Sequence, residues 1–229
     1  MSNAQQFLAN YFDSPLVIFD DAESLGSLRD RVPAWWCEVM SASGEDRVNR
    51  TLDEWRGQSN QLPAVFESLV NHLREVSIFA SNDSLWLLYE LCADGKTMYY
   101  GGGNPRERIM SQSVQAVWGK CPVEFQRFYD TFHNGWCYLS SMSMGPAPVE
   151  DMFILSELEW GILDDITFPQ ADLDSLLAVY TNGMGGYVTL NVNENSESGD
   201  VLWWHDRPPQ THIDAWAVID AWTEIGFEV

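Results

Sequence analysis

The stretch Leu176-Leu177-Ala178-Val179-Tyr180-Thr181-Asn182-Gly183-Met184-Gly185-Gly186-Tyr187-Val188-Thr189-Leu190-Asn191-Val192 decides the fold class. Leu176 to Tyr180 is a short apolar run, and Asn182 to Gly186 separates it from a second run, Tyr187 to Val192. Asn and Gly accept the positive backbone angles of a tight reversal, so the stretch reads as strand, turn, strand. Asn193 to Asp200 predicts another polar turn, leading into a strand at Val201-Leu202-Trp203-Trp204. A helix is predicted over Thr211 to Ile225, burying Ile213, Trp216, Ile219 and Trp222 or close neighbours.

Working back along the chain, Met152 to Leu155 and Trp136 to Leu139 are further short apolar runs. Cys121-Pro122-Val123-Glu124 opens a helix whose Phe125, Phe128, Tyr129 and Phe132 recur at helical spacing and face a core. His133-Asn134-Gly135 ends it, because Asn or Gly can turn left-handed there. Earlier still, Leu62, Val65, Phe66, Leu69, Val70 and Leu73 form one apolar stripe behind Pro63, a helix with Pro in its first turn. Leu85 to Leu91 and Thr97 to Tyr100, joined by Asp94-Gly95, read as a β-hairpin. Leu25 to Met40 is broadly helical, residues 4 to 12 form a short helix and Leu16 to Phe19 a short strand. Gly101-Gly102-Gly103-Asn104-Pro105 reads as a break and a domain boundary. The expected organisation is an N-terminal helical region with a β-hairpin over 1–105, and a second domain over 106–229. The expected class is α+β: a meandering, mostly antiparallel sheet packed against helices, preceded by an N-terminal α/β region.

Charge narrows the function. The 229 residues carry 12 Lys plus Arg against 34 Asp plus Glu, a net of −22. From residue 111 onward there are 3 basic residues (Lys120, Arg127 and Arg207) and 18 acidic ones, a net of −15. Such a field repels nucleic acid and anionic membrane surfaces and attracts a basic protein. The chain has no run of 18 apolar residues and no Lys or Arg in its first 28 positions, so neither a membrane span nor a secretory signal is expected. Cys37, Cys92, Cys121 and Cys137 are widely spaced, which fits reduced thiols in a cytoplasmic protein.

No catalytic spacing surrounds His72, His133, His205 or His212. Cys121, His133 and Cys137 lack a fourth ligand, so no metal is expected. Glu150-Asp151 and Asp164-Asp165 read as solvated acidic loops rather than cation sites. Gly101 to Gly103, followed by Arg106 and Arg108, lacks a phosphate-binding frame and reads as a flexible connector. No cofactor is expected, and the chain does not read as an enzyme.

Recognition is the better-supported chemistry. Trp203 and Trp204 are adjacent on a strand, so their rings point to opposite faces. Either both are buried, or one is left exposed as an interface anchor. With His205 and Asp206 they form a polar-aromatic cluster at a strand end, a candidate binding rim. Asp151, Glu157, Glu159, Asp164 and Asp165 are further partner-binding candidates, as dense acid in loops.

The chain from about Val117 to Val229 resembles the SUKH superfamily, the cell-wall-regulator-like domains found in many bacterial immunity proteins. Three pieces carry the resemblance in order. Cys121-Pro122-Val123-Glu124-Phe125-Gln126-Arg127-Phe128-Tyr129 through Asn134-Gly135 is similar to the family's opening helix. Leu177 to Tyr180, Gly183-Met184-Gly185-Gly186 and Tyr187 to Leu190 are similar to its central strand, glycine turn and strand. Gly199-Asp200-Val201-Leu202-Trp203-Trp204-His205-Asp206 is similar to the strand that follows. Cys121 stands where Leu is usual, and His205 directly follows the second Trp. Residues 1 to 110 lie outside the resemblance.

The resemblance implies a SUKH-like sheet with helices against it, no catalysis, and tight binding to a cognate polymorphic toxin domain. The expected function is therefore toxin neutralisation by an immunity protein whose acidic surface occludes a basic toxin. The alternative is a non-catalytic regulatory or scaffolding module of the same fold that binds ordinary cellular proteins.

Overall fold

The computed structural model describes residues 2–12, 16–82, 84–193, 196 and 198–227. It is an α+β protein with two five-stranded antiparallel sheets. In the first half, α1 (Asn3–Leu8) and β1 (Val17–Phe19) precede α2 (Ala34–Met40), α3 (Gly44–Trp55) and α4 (Pro63–His72). Then come β2 (Leu73–Ser81), β3 (Ser84–Ala93) and β4 (Lys96–Gly103). After α5 (Gln112–Trp118), α6 (Val123–Arg127) continues through a wider turn at Phe128–Phe132 into β5 (Trp136–Tyr138). The second half adds β6 (Phe153–Ile154), α7 (Gln170–Leu173), β7 (Leu176–Thr181), β8 (Gly186–Asn191), β9 (Val201–Trp204), β10 (Gln210–Thr211) and α8 (Ala215–Ile225).

Both sheets are plain meanders, β1 to β5 and β6 to β10 in chain order. The hairpin turn at Asp94-Gly95 forms as expected, with φ of 50° and 78°, the positive angles of a two-residue reversal. A strip of chain over 143–147 joins the sheets edge to edge. On one side the N–H groups of Trp136 and Tyr138 donate to the carbonyls of Pro146 and Ser143. On the other, those of Met144 and Ala147 donate to Thr181 and Val179.

The expected break at Gly101–Gly103 is corrected. These glycines are paired on both sides, with β3 and, at Gly101 and Gly102, with β5. Close approach explains them: a Cβ on Gly102 would lie 2.3 Å from the His133 ring. The boundary expected at 105/106 falls within this sheet. One core cluster also joins Trp36, Trp55 and Leu69 from before it to Phe125, Leu190 and Ile219 from after it.

Strand alternation makes smaller cores on the far faces. Leu8 of α1 covers Phe79, Leu88 and Tyr99 on one sheet, and residues 155–173 cover Leu176, Val201 and Trp203 on the other. The last helix starts at Ala215 rather than Thr211, because Thr211 pairs with Val201 and Asp214 caps the helix by accepting from the Ala217 N–H at 3.1 Å. Its fully buried side is Ala215, Ile219, Asp220 and Thr223; Ile213, Trp216 and Trp222 are half-buried against the core. The turn expected over 193–200 lies partly outside the described residues.

Candidate partner-binding face

Four-residue strand β9 sorts the candidate aromatics. Trp203 is fully buried in the satellite core, its ring 5.5 Å from Trp160 and 5.2 Å from Phe168. It is corrected from a contact candidate to a core residue, because alternation turns it under the segment over 155–173. Trp204 faces the opposite side, half-buried against Trp222 at 5.6 Å, with the Arg207 guanidinium stacked 4.2 Å above its ring. Asp206 is exposed and holds Arg207 at 3.2 Å.

His205 is exposed and leaves the strand on the same side as Trp203. Its backbone N–H donates to the Gly185 carbonyl at 3.0 Å, which fixes it to the glycine turn. Its imidazole lies 4.8 Å from the Trp160 ring and 5.7 Å from Tyr187, with Nε2 3.4 Å from the Tyr187 hydroxyl.

Trp160 sits in the middle of the acidic segment. It is buried, donates its indole N–H to the Leu155 carbonyl at 2.7 Å, and touches Phe153, Tyr187, Trp203 and His205. By anchoring there it brings the two predicted groups together, residues 157–165 beside residues 203–206. Glu157, Glu159, Asp164 and Asp165 are all exposed. Glu157 accepts the Ile154 N–H at 3.1 Å and so shapes its own turn. Among the described residues, the carboxylates of Glu159, Asp164 and Asp165 have no hydrogen-bond or ion-pair partner. They keep the face negative.

Asp151 lies at the other end of the face, beside Phe153. Burial first, and the neighbouring Glu150 second, push its carboxyl above the usual range. Asp151, Phe153, Tyr187, Thr181 and Met142 line a cleft of about 190 Å³.

Apolar side chains that sequence reading passed over complete the surface. Met184 at the tip of the glycine turn is 84% exposed, Leu158 in the acidic segment 47%, and Met142 37%. Methionine on an open surface adapts to partner shapes. The signal was available at Met184, an apolar residue at the centre of a turn. The roles of Phe153, Trp160 and Tyr187 depend on strand pairing and long-range packing that local patterns do not carry.

The histidine and thiols considered for zinc are all buried. His133 is fully buried, and its Nε2 is hydrogen-bonded to the Tyr89 hydroxyl at 2.7 Å, which accepts from the Trp55 indole at 3.1 Å. Burial holds this imidazole down to about 3, against the opposing pull of the Gly103 carbonyl. Burial pushes the Cys121 thiol up to about 11 and that of Cys137 up to about 12. Among the described residues, no group of three His, Cys, Asp or Glu side chains could hold a metal ion. No helix among them is long and apolar enough to cross a membrane.

The segment and strands thus bring together an aromatic floor, unpaired carboxylates and exposed apolar side chains, a composition suited to recognition. Comparison of the chain with family models, with curated proteins and with solved structures gave no match.

Proposed function

We propose that the protein is a cytoplasmic bacterial immunity protein of the SUKH type, which binds a cognate basic toxin domain and neutralises it without catalysis. One observation carries the reading. Exposed Leu158 and unpaired Glu159 flank Trp160, whose ring meets Tyr187 and His205, and His205 is bonded to the turn that carries exposed Met184, in a half of the chain with a net charge of −15 that includes exposed, unpaired Asp164 and Asp165. The apolar side chains supply contact area. The carboxylates speed capture of a basic surface and stand where substrate phosphates would meet a nuclease-like toxin.

The test is protection of cells. Cells that express the cognate toxin domain should survive when the chain is co-expressed. They should lose that protection when Asp164 and Asp165 are both changed to Lys. Death of the cells despite folded, abundant protein contradicts the reading; capture of several ordinary cellular proteins instead points to a regulatory module.

A further inference from the structure

We propose that the corner between Phe153 and Tyr187, closed by Asp151, is the seat for one arginine side chain of the partner. The proposal rests on the partner-binding reading above and specifies what that face grips.

Three observations converge. First, the walls suit a flat cation. The Phe153 and Tyr187 rings meet at 5.6 Å and 81°, and a guanidinium can lie over a ring face at such a corner. Ala147 and Ala178 leave the cleft open, and Met142 supplies an adaptable rim.

Second, the size fits one side chain. At about 190 Å³ the cleft is smaller than the ~300–1,000 Å³ typical of sites for drug-sized ligands. A second cleft of about 260 Å³, past Trp86 and Ile109, shares Met142 and Asp151 with it. The two clefts adjoin at these residues.

Third, one carboxylate at these clefts has no partner of its own. Glu150 accepts the Ile109 N–H at 2.7 Å and the Asn134 side-chain amide at 2.8 Å. Glu107 is held by Arg31 at 2.8 Å and by the Leu85 N–H at 2.9 Å. The Asp151 carboxylate has no hydrogen-bond or ion-pair partner among the described residues, and it stands on an exposed residue beside Glu150. Arg207, a cation of this half, is engaged by Asp206 and Trp204. Asp151 is thus open to a cation brought by a basic partner.

The test uses N-acetyl-arginine amide and the uncharged isostere N-acetyl-citrulline amide, titrated into the full chain and followed by NMR. The arginine probe should shift the signals of Ala147, Ala178 and Tyr187 and bind at least about tenfold more tightly than the citrulline probe. Asp151→Asn should abolish that preference without changing the fold, and Tyr187→Leu should weaken both probes. Equal binding of the two probes, or a preference unchanged in Asp151→Asn, overturns the proposal. Arginine binding at the corner by a chain that protects no cells would uphold the seat and contradict the immunity reading, so the two failures are distinguishable.

Discussion

The imidazole of His205 lies 4.8 Å from the indole of Trp160, ring centre to ring centre. The contact joins the end of strand β9 to an acidic segment more than forty residues earlier, and it makes one surface of two stretches that sequence reading could only name separately. The two residues carry different loads. Trp160 is buried and touches four aromatic neighbours, whereas His205 is exposed.

Trp160→Ala should therefore destabilise the protein by about 3–5 kcal/mol, the usual cost of emptying a large aromatic site. His205→Ala should change stability by less than about 1 kcal/mol yet weaken partner binding. Urea midpoints of the two variants check this; equal midpoints would mean that Trp160 does not anchor the segment.

Asp220 ties the ends of the fold together. Its buried carboxylate accepts the N–H groups of both Ala64 and Val65 at 3.0 Å, capping α4 from α8 across more than 150 residues. Asp220→Ala leaves two buried donors without a partner and should cost about 1–3 kcal/mol. Asp220→Asn keeps one acceptor and should cost less. Thermal denaturation of the two variants gives the order.

Stability should fall on mild acidification because of His133. An unfolded histidine titrates near ~6.5, whereas burial holds this one down to about 3. Its contribution is complete above the unfolded value and is lost progressively as pH falls from there towards the folded value. Between pH 7 and pH 5 the expected loss is about 2 kcal/mol. Asp151 and Asp200, whose carboxyls burial pushes up, act in the opposite sense at lower pH. Urea titrations at the two pH values measure the loss, and equal stability would show that His133 takes up its proton while folded.

Gly102→Ala should destabilise at the upper end of the ~1–3 kcal/mol range for overpacking, since its Cβ would strike the buried His133 ring. Gly119 is the control: nothing lies within 4 Å of a Cβ there and its φ is −66°, so Gly119→Ala should be neutral or stabilising by ~0.4–1 kcal/mol. Denaturant midpoints of the two variants compare them directly.

Features with local physical signatures were legible in the sequence. The Asp94-Gly95 hairpin, the Pro63 helix and the Asn182–Gly186 turn each depend on backbone preferences of a few adjacent residues, and each forms where predicted. Strand β2 was missed because α4 runs into it at Leu73 with no Gly or Pro to mark the change. The apolar, β-branched Val76 and Ile78 flanking Ser77 were the signal available. The glycines of β4 were misread because a Gly run marks a loop by itself but close packing when a ring lies over it. On the candidate face, the acidic residues were legible as charge. The Phe153–Tyr187 corner was not, since it exists only once β6, β7 and β8 pair.

The central claim, capture of a basic toxin by this acidic face, is tested most directly by the association rate constant with the toxin domain, measured across ionic strength. For the wild-type chain the rate should fall steeply as salt screens the field. It should be lower and less salt-dependent for Asp164→Asn/Asp165→Asn, with dissociation little changed. A rate that is independent of salt and of both substitutions would contradict the account.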